Sequence, residues 1–431
     1  MRTHPRAAAL VAATAIAAIA APAAASAQSL WVAHAPTVPG NGISCTSPGY
    51  NSIQAAIGKA SPGATLHVCV GTYEEQLQIT HALSITTAGA VTVKLPAARK
   101  DSTTTCDEAT GEPDQEIVAV CGAGTVKIAG VTFEGYWPGV CSDSLYGILV
   151  AGGANLLLSN SSVLGAGASP VNGCQGGVAV QVGTAWTTPV QVGTATLTND
   201  TIAGYQKNGI TVDGAESKAS ITSVTVTGAG ATPVIAQNGI QVSNGARAKI
   251  SKSTISGNEC DHPSCGANPV TQTQSTGILF YGAAAGSTVS ASTVNENDIG
   301  VYYEDSAATA PVGSEASIAN STLTNDRYES VVIGQGWATV NGNTLNGGNI
   351  GIALLQYHGE SYGPKGTGKS DTVEHMKDRA VLGASDKQAD PAGSFSIANS
   401  RISGNPEGAG VTGSVFSESA SLNIFTTPSD T

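Results

Sequence analysis

Aliphatic residues recur along most of this chain in pairs five positions apart, with small polar residues between them. The clearest pair is Ile250/Ile255. Others are Leu158/Val163, Leu197/Ile202, Ile221/Val226, Val289/Val294, Ile318/Leu323, Val340/Leu345 and Ile397/Ile402, with an early copy at Ile128/Phe133 before Gly135. A spacing of five matches neither a straight strand, whose side chains alternate with period 2, nor a helix of period 3.6. It matches two short strands that meet at a bend and each send one aliphatic side chain inward.

A second pattern alternates with the first: a glycine, an aliphatic, a variable residue and another apolar residue. It occurs at Gly147–Val150, Gly177–Val180, Gly209–Val212, Gly239–Val242, Gly277–Phe280, Gly300–Tyr303 and Gly351–Leu354, with Ser330–Ile333 as a variant. Strict alternation points the first and third residues after the glycine inward. One alternating strand, a turn, and two strands around a bend make a unit whose shortest length is 21 residues, from Ser330 to Gly351. Such a unit cannot bury its own apolar side chains, so successive units must stack, each strand pairing in parallel with its equivalent in the next coil. At about 4.8 Å per coil, some ten coils give a rod of roughly 50 Å. Asn160, Asn199, Asn320 and Asn399 share one position at the bend, where asparagine tolerates bent backbone and its amides can stack. Three of them also begin Asn-x-Ser/Thr glycosylation acceptors, a weaker explanation of a repeated position.

The rest of the chain departs from these patterns. Ser52 is placed to cap a short helix with Ile53, Ala56 and Ile57 on one face, which can close the open end of the stack. Lys100 to Gln115 is polar and reads as a loop. From His358 to Gly393 the pattern breaks. Within that stretch Val373, Met376, Ala380 and Val381 share a helical face, so a helical insertion packed beside the rod is expected. Met1 to Ala27 reads as an export signal, with Arg2 and Arg6, an apolar run, and an Ala25-Ser26-Ala27 cleavage site. The expected organisation is therefore a signal over 1–27, a cap with the first coils over 28–123, and a repeat region over 124–431 with its insertion at 358–393.

Composition agrees with many short strands and turns: glycine is abundant at 53 residues and only 12% of residues are charged. The net charge is −12, and removal of the two arginines in the signal makes it −14. This argues against nucleic acid and anionic membranes as partners, and against a polyanionic sugar unless a cation such as Ca²⁺ bridges the two. No stretch after the signal is apolar and long enough to span a bilayer, so a secreted, extracellular, monomeric protein is expected. The eight cysteines suggest disulfides in such a chain, with sequential pairing favoured. A zinc site is the rival, and it lacks paired C-x-x-C spacing.

The coil pattern over residues 125–415 resembles the right-handed parallel β-helix proteins of the pectin-lyase-like superfamily. The segment from Ser52 to Leu77 looks like the entry segment of many of them. Gly71-Thr72-Tyr73-Glu74-Glu75 resembles the G-x-Y-x-E of pectin methylesterases, but the Q-D-T, D-F-I-F-G and G-R-P-W motifs of those esterases have no counterpart here. The resemblance implies an all-β solenoid and not an activity.

Enzymes of that kind work along one flank of the rod, so the outward residues of the alternating strands are the place to look for a site. One column reads Leu149, Ala179, Thr211, Gln241, Leu279, Tyr302, Val332, Ala353. The other reads Ala151, Gln181, Asp213, Ser243, Tyr281, Glu304, Gly334, Leu355. The middle is polar and aromatic, which selects Asp213, Gln241, Tyr281, Tyr302, Glu304 and the adjacent Asp305 as candidate ligand-binding residues. Asp213 and Glu304 lie three coils apart, about 14 Å, beyond the separation two carboxyls need for glycoside hydrolysis. Neither column contains Lys, Arg or His to act as a base for a lyase, and no G-x-S-x-G is present. No catalytic residue or metal ligand is identified. The pattern favours a non-catalytic protein that binds an extracellular polysaccharide or cell-envelope glycan, with no cofactor unless Ca²⁺ serves an acidic polymer. The alternatives are a polysaccharide lyase or hydrolase working near Glu304, and a purely structural or adhesive role.

Overall fold

The computed structural model describes residues 28–34, 40–100, 106, 114–122, 124–136, 141, 144–268, 271–305, 315–356, 362–385, 393–412, 417–421 and 424–425. The export signal and most of the polar loop after Lys100 lie outside them.

Each coil contains three runs of strand. In a representative coil these are Asn208–Asp213, Lys218–Thr222 and Thr225–Thr232. Equivalent strands of successive coils pair in parallel, as from Val178–Val182 through Asn208–Asp213 and Asn238–Ser243 to Thr276–Tyr281. Among the described residues the first run of each coil forms a twelve-stranded sheet from Leu77–Ile79 to Glu407–Thr412, here called the flank sheet. The two runs around the bend form the other, larger sheet.

The interior is one column. Ile210, Ile240, Ile278, Val301, Val331 and Ile352 stand in register on neighbouring strands, are fully buried, and belong to a cluster that runs from Leu30 to Ile402. Burial of each such side chain is worth about 1.5–3 kcal/mol, and no coil could achieve it without neighbours. Thr201, Thr225, Thr254, Thr293, Thr322, Thr344 and Thr372 form an outward ladder beside the bend, where a β-branched side chain suits an extended backbone.

The bend explains the spacing of five. Asn160, Asn199, Asn320 and Asn399 have φ of 49°, 57°, 51° and 53°, a left-handed conformation also taken at this position by Ser223, Lys252, Ala291 and Ser370. The hydrogen-bonded ladder runs one residue further along. Ser161 N donates to Asp200 Oδ1 at 2.8 Å, Ser253 N to Ser292 Oγ at 3.2 Å, Ser321 N to Asn343 Oδ1 at 3.0 Å and Asn343 N to Asp371 Oδ1 at 2.8 Å. A backbone N–H released by the turn is thus satisfied by the next coil.

The helix Ile53–Ile57 covers the start of the stack with Ile53, Ala56 and Ile57 buried, and Ser52 Oγ accepts from Ala55 N. Glu75 accepts from Ser52 Oγ, Ile53 N and Gln54 N at 2.8–3.0 Å, while the buried Tyr73 hydroxyl donates to Cys69 O at 2.9 Å. The Gly71–Glu75 motif therefore holds the cap in place. The disulfides are sequential: Cys45–Cys69, Cys106–Cys121, Cys141–Cys174 and Cys260–Cys265.

Two expectations fail. The helical insertion is absent where it was placed, because Lys365–Lys369, Thr372–Glu374 and Arg379–Ser385 are strands of a further coil. Val373, Met376, Ala380 and Val381 are buried. Buried positions on either side of the turn at His375, whose φ is 56°, fall three, four and one apart, which imitates a helical face. The flanking residues 357–361 and 386–392 lie outside the described ones. The second failure is a register slip of two at Val178–Val182. Val178 pairs with Tyr146 and Asn208, and Gln181 pairs with Leu149 and Thr211. Ala179 takes the glycine position, and Gln181 rather than Ala179 joins the Gln241 column. Alternation of period 2 cannot detect a slip of two.

Candidate functional site

The outward face of the flank sheet carries the candidate residues. Asp213, Ser243, Tyr281 and Glu304 follow one another on four adjacent strands, and Thr211, Gln241, Leu279 and Tyr302 run beside them. Tyr281, Tyr302 and Glu304 therefore form one patch. Tyr281 is 48% exposed. Tyr302 donates its hydroxyl to Glu304 Oε2 and packs against a second apolar cluster, which runs from Ile299 and Val332 to Leu382 and extends the face toward later coils. Burial raises the Glu304 carboxyl above the usual range, and the Tyr302 hydrogen bond opposes that rise.

Asp213 and Gln241 lie in an amide-rich part of the face. Asp213 is buried and holds three donors: Ala185 N at 2.7 Å, Ser243 Oγ at 2.8 Å and Asn244 Nδ2 at 2.7 Å. It is an anchor for two loops. Asn208 Nδ2 donates to Gln241 Oε1 and Thr211 Oγ1, Asn238 Nδ2 to Asn208 Oδ1 and Gln241 Oε1, and Gln241 Nε2 to Ser243 Oγ, all at 3.0–3.3 Å. Asp305 does not join the face. It is buried at the strand end, where Tyr362 donates to it, and its charge helps raise the neighbouring Glu315 and Tyr303, which burial raises first.

Pattern reasoning missed Trp186. The loop after Val182 is closed by Thr184 and Gln191, which exchange backbone hydrogen bonds of 2.9 and 3.0 Å, and it presents Trp186 with 77% of its surface exposed. The 32-residue step from Gly177 to Gly209 announced an insertion there, but not its landing on the flank. The Asp213 bond to Ala185 N fixes that landing. Between the loop and the sheet is a hollow of about 180 Å³ lined by Trp186, Gln175, Gln181, Asn208, Gln241 and Asn244, among others.

A larger cleft of about 360 Å³ shares Gln175 with the hollow and contains Lys207, His262 and the Cys260–Cys265 disulfide. Lys207 Nζ donates to Ala236 O at 2.6 Å, and burial lowers its pKa. Among the described residues no group of three or more His, Cys, Asp or Glu is arranged to hold a metal ion.

A family model described as the right handed beta helix region matches residues 190–362. The fold is a right-handed parallel β-helix. This β-helix superposes on a mutant of the periplasmic alginate epimerase AlgG with a TM-score of 0.51 at 11% identity, over 88% of this chain and 84% of that one. It also superposes on the Agl-KA catalytic domain with a TM-score of 0.52 at 12% identity, over 85% of this chain and 64% of that one. At such identities the likeness is one of fold. Comparison with curated proteins by sequence gives no match. The pectin-lyase-like resemblance of the coil pattern is thus upheld at the level of architecture.

Proposed function

We propose that this β-helix is an exported protein that holds a polysaccharide or cell-envelope glycan along the outward face of its flank sheet without cutting it. The observation that carries this is the pairing of an exposed Trp186 and an exposed Tyr281 with an amide-lined hollow on one register-locked face. Aromatic faces stack on the C–H faces of sugar rings while neighbouring amides bond the hydroxyls. The carboxylates there are engaged in other roles: Asp213 anchors loops, and Glu304, three strands away, is held by Tyr302. Four disulfides suit an oxidising, extracellular setting. One of the two fold relatives named above is an alginate epimerase, so a protein of this architecture acts on a polysaccharide elsewhere.

A second reading keeps one specific support. The raised carboxyl of Glu304 suits a proton donor, so a lyase or hydrolase centred there is the alternative. One experiment addresses both. Affinity electrophoresis of the purified protein against soluble polysaccharides is expected to show retardation by at least one polymer, and Trp186→Ala combined with Tyr281→Ala should weaken it by about tenfold to a hundredfold, at roughly tenfold per 1.4 kcal/mol of lost stacking. Retardation unaltered by the double substitution would remove the binding face. Release of new reducing ends or unsaturated products, abolished by Glu304→Gln, would favour the enzyme.

A further inference from the structure

The composition of the hollow bears on which sugars the face accepts, given that it binds a glycan at all. Its lining supplies amides from Gln175, Gln181, Asn208, Gln241 and Asn244, hydroxyls from Thr184 and Thr211, and the Trp186 ring; no Lys, Arg or His lines it. The one charge in the lining, Asp213, is negative, and Glu304 adds a second further along the same face.

We infer that the face selects an uncharged, hydroxyl-rich polysaccharide and excludes polyuronates. A sugar carboxylate seated in the hollow would give up its hydration and meet amide and hydroxyl dipoles and the like-charged Asp213, with no lining cation to offset that loss. A hydroxyl both donates and accepts, and so does an amide. Gln181 shows how the amides are oriented: its Nε2 donates to Gly183 O at 2.6 Å. Asn244 is held in the same way, its Nδ2 tied to Asp213. The net charge of −12 acts in the same direction at longer range. Lys207 lines the adjoining cleft and not the hollow.

The test uses the full protein with galactomannan, a soluble β-glucan, polygalacturonate, carboxyl-reduced polygalacturonate and alginate, each at 0.05 M and 0.5 M NaCl without added divalent cation. The expected result is binding to a neutral polymer that does not change with salt, at least tenfold weaker binding to both polyuronates, and gain of binding when the polygalacturonate carboxyls are reduced. Lys207→Gln should leave neutral binding within twofold. Tighter binding of a polyuronate than of any neutral polymer, or loss of binding on carboxyl reduction or in Lys207→Gln, overturns the inference while leaving the glycan-binding face intact. Absence of binding to every polymer defeats that face itself.

Discussion

The protein is expected to melt at a lower temperature at pH 8 than at pH 5. Several acids are buried in or against the stack with raised pKa values, Asp326 among them. Asp200, Asp298 and Asp371 are pushed up to about 6, and Glu329 to about 8, burial being the main cause in each. In the unfolded chain the same groups titrate near ~4. The folded state therefore binds more protons than the unfolded one between about pH 4 and the folded pKa. Stability is greatest below that window and falls as the pH rises through it. Each pH unit inside the window is worth about 1.4 kcal/mol per group, so these four groups together lose on the order of 8 kcal/mol between pH 5 and pH 8. Glu329 contributes to the upper part of the slope. It is fully buried in the flank sheet between Ile299 and Ile350, with Gln274 alongside but outside hydrogen-bond geometry. Glu329→Gln keeps the shape and removes the charge, and should flatten the profile above pH 6. Calorimetry across this range decides the matter: a melting temperature that climbs from pH 5 to pH 8, or a variant whose profile matches the parent, contradicts the assignment.

Removal of the Asp213 carboxylate should both destabilise the protein and disable the face. Its three hydrogen bonds tie the loop carrying Trp186, the next strand at Ser243 and the turn at Asn244. Asp213→Ala leaves Ala185 N and the Asn244 amide without their acceptor. Hydrogen bonds to a charged group contribute about 1.5–3 kcal/mol each, less what water and relaxation recover, so a net loss of about 3 kcal/mol is expected. Glycan affinity should fall more than in Trp186→Ala, since the hollow loses its wall as well as its ring. Denaturant melts and affinity electrophoresis on Asp213→Ala and Asp213→Asn separate the two effects. Full affinity in Asp213→Ala would show that the loop is held by something else.

Architecture was legible in the sequence because one physical demand repeats. Ile210, Ile240 and Ile278 must each face inward, and a strand with a bend satisfies that demand in every coil, so periodicity is enough to describe it. What periodicity could not resolve follows from the same cause. A slip of two leaves the alternation unchanged, which misplaced Gln181. Buried residues on either side of the His375 turn mimic a helical face from Val373 to Val381. The site was harder still. Counting along columns puts Gln241, Tyr281, Tyr302 and Glu304 on the outward face, as the register has them, whereas Asp213 there anchors two loops and Asp305 is a buried strand end. Trp186 comes from an insertion with no repeat to place it. Its position depends on a contact between Asp213 and Ala185, 28 residues apart in sequence, and no local pattern encodes such a contact.

Tryptophan fluorescence during titration with a bound neutral oligosaccharide locates the ligand most directly. Burial of Trp186 under a sugar ring should shift the emission. Trp186→Phe retains an aromatic platform, so it should still bind yet lose the shift, whereas Trp337→Phe on the other sheet should keep both. An emission shift that survives Trp186→Phe and disappears in Trp337→Phe would place the ligand elsewhere on the rod.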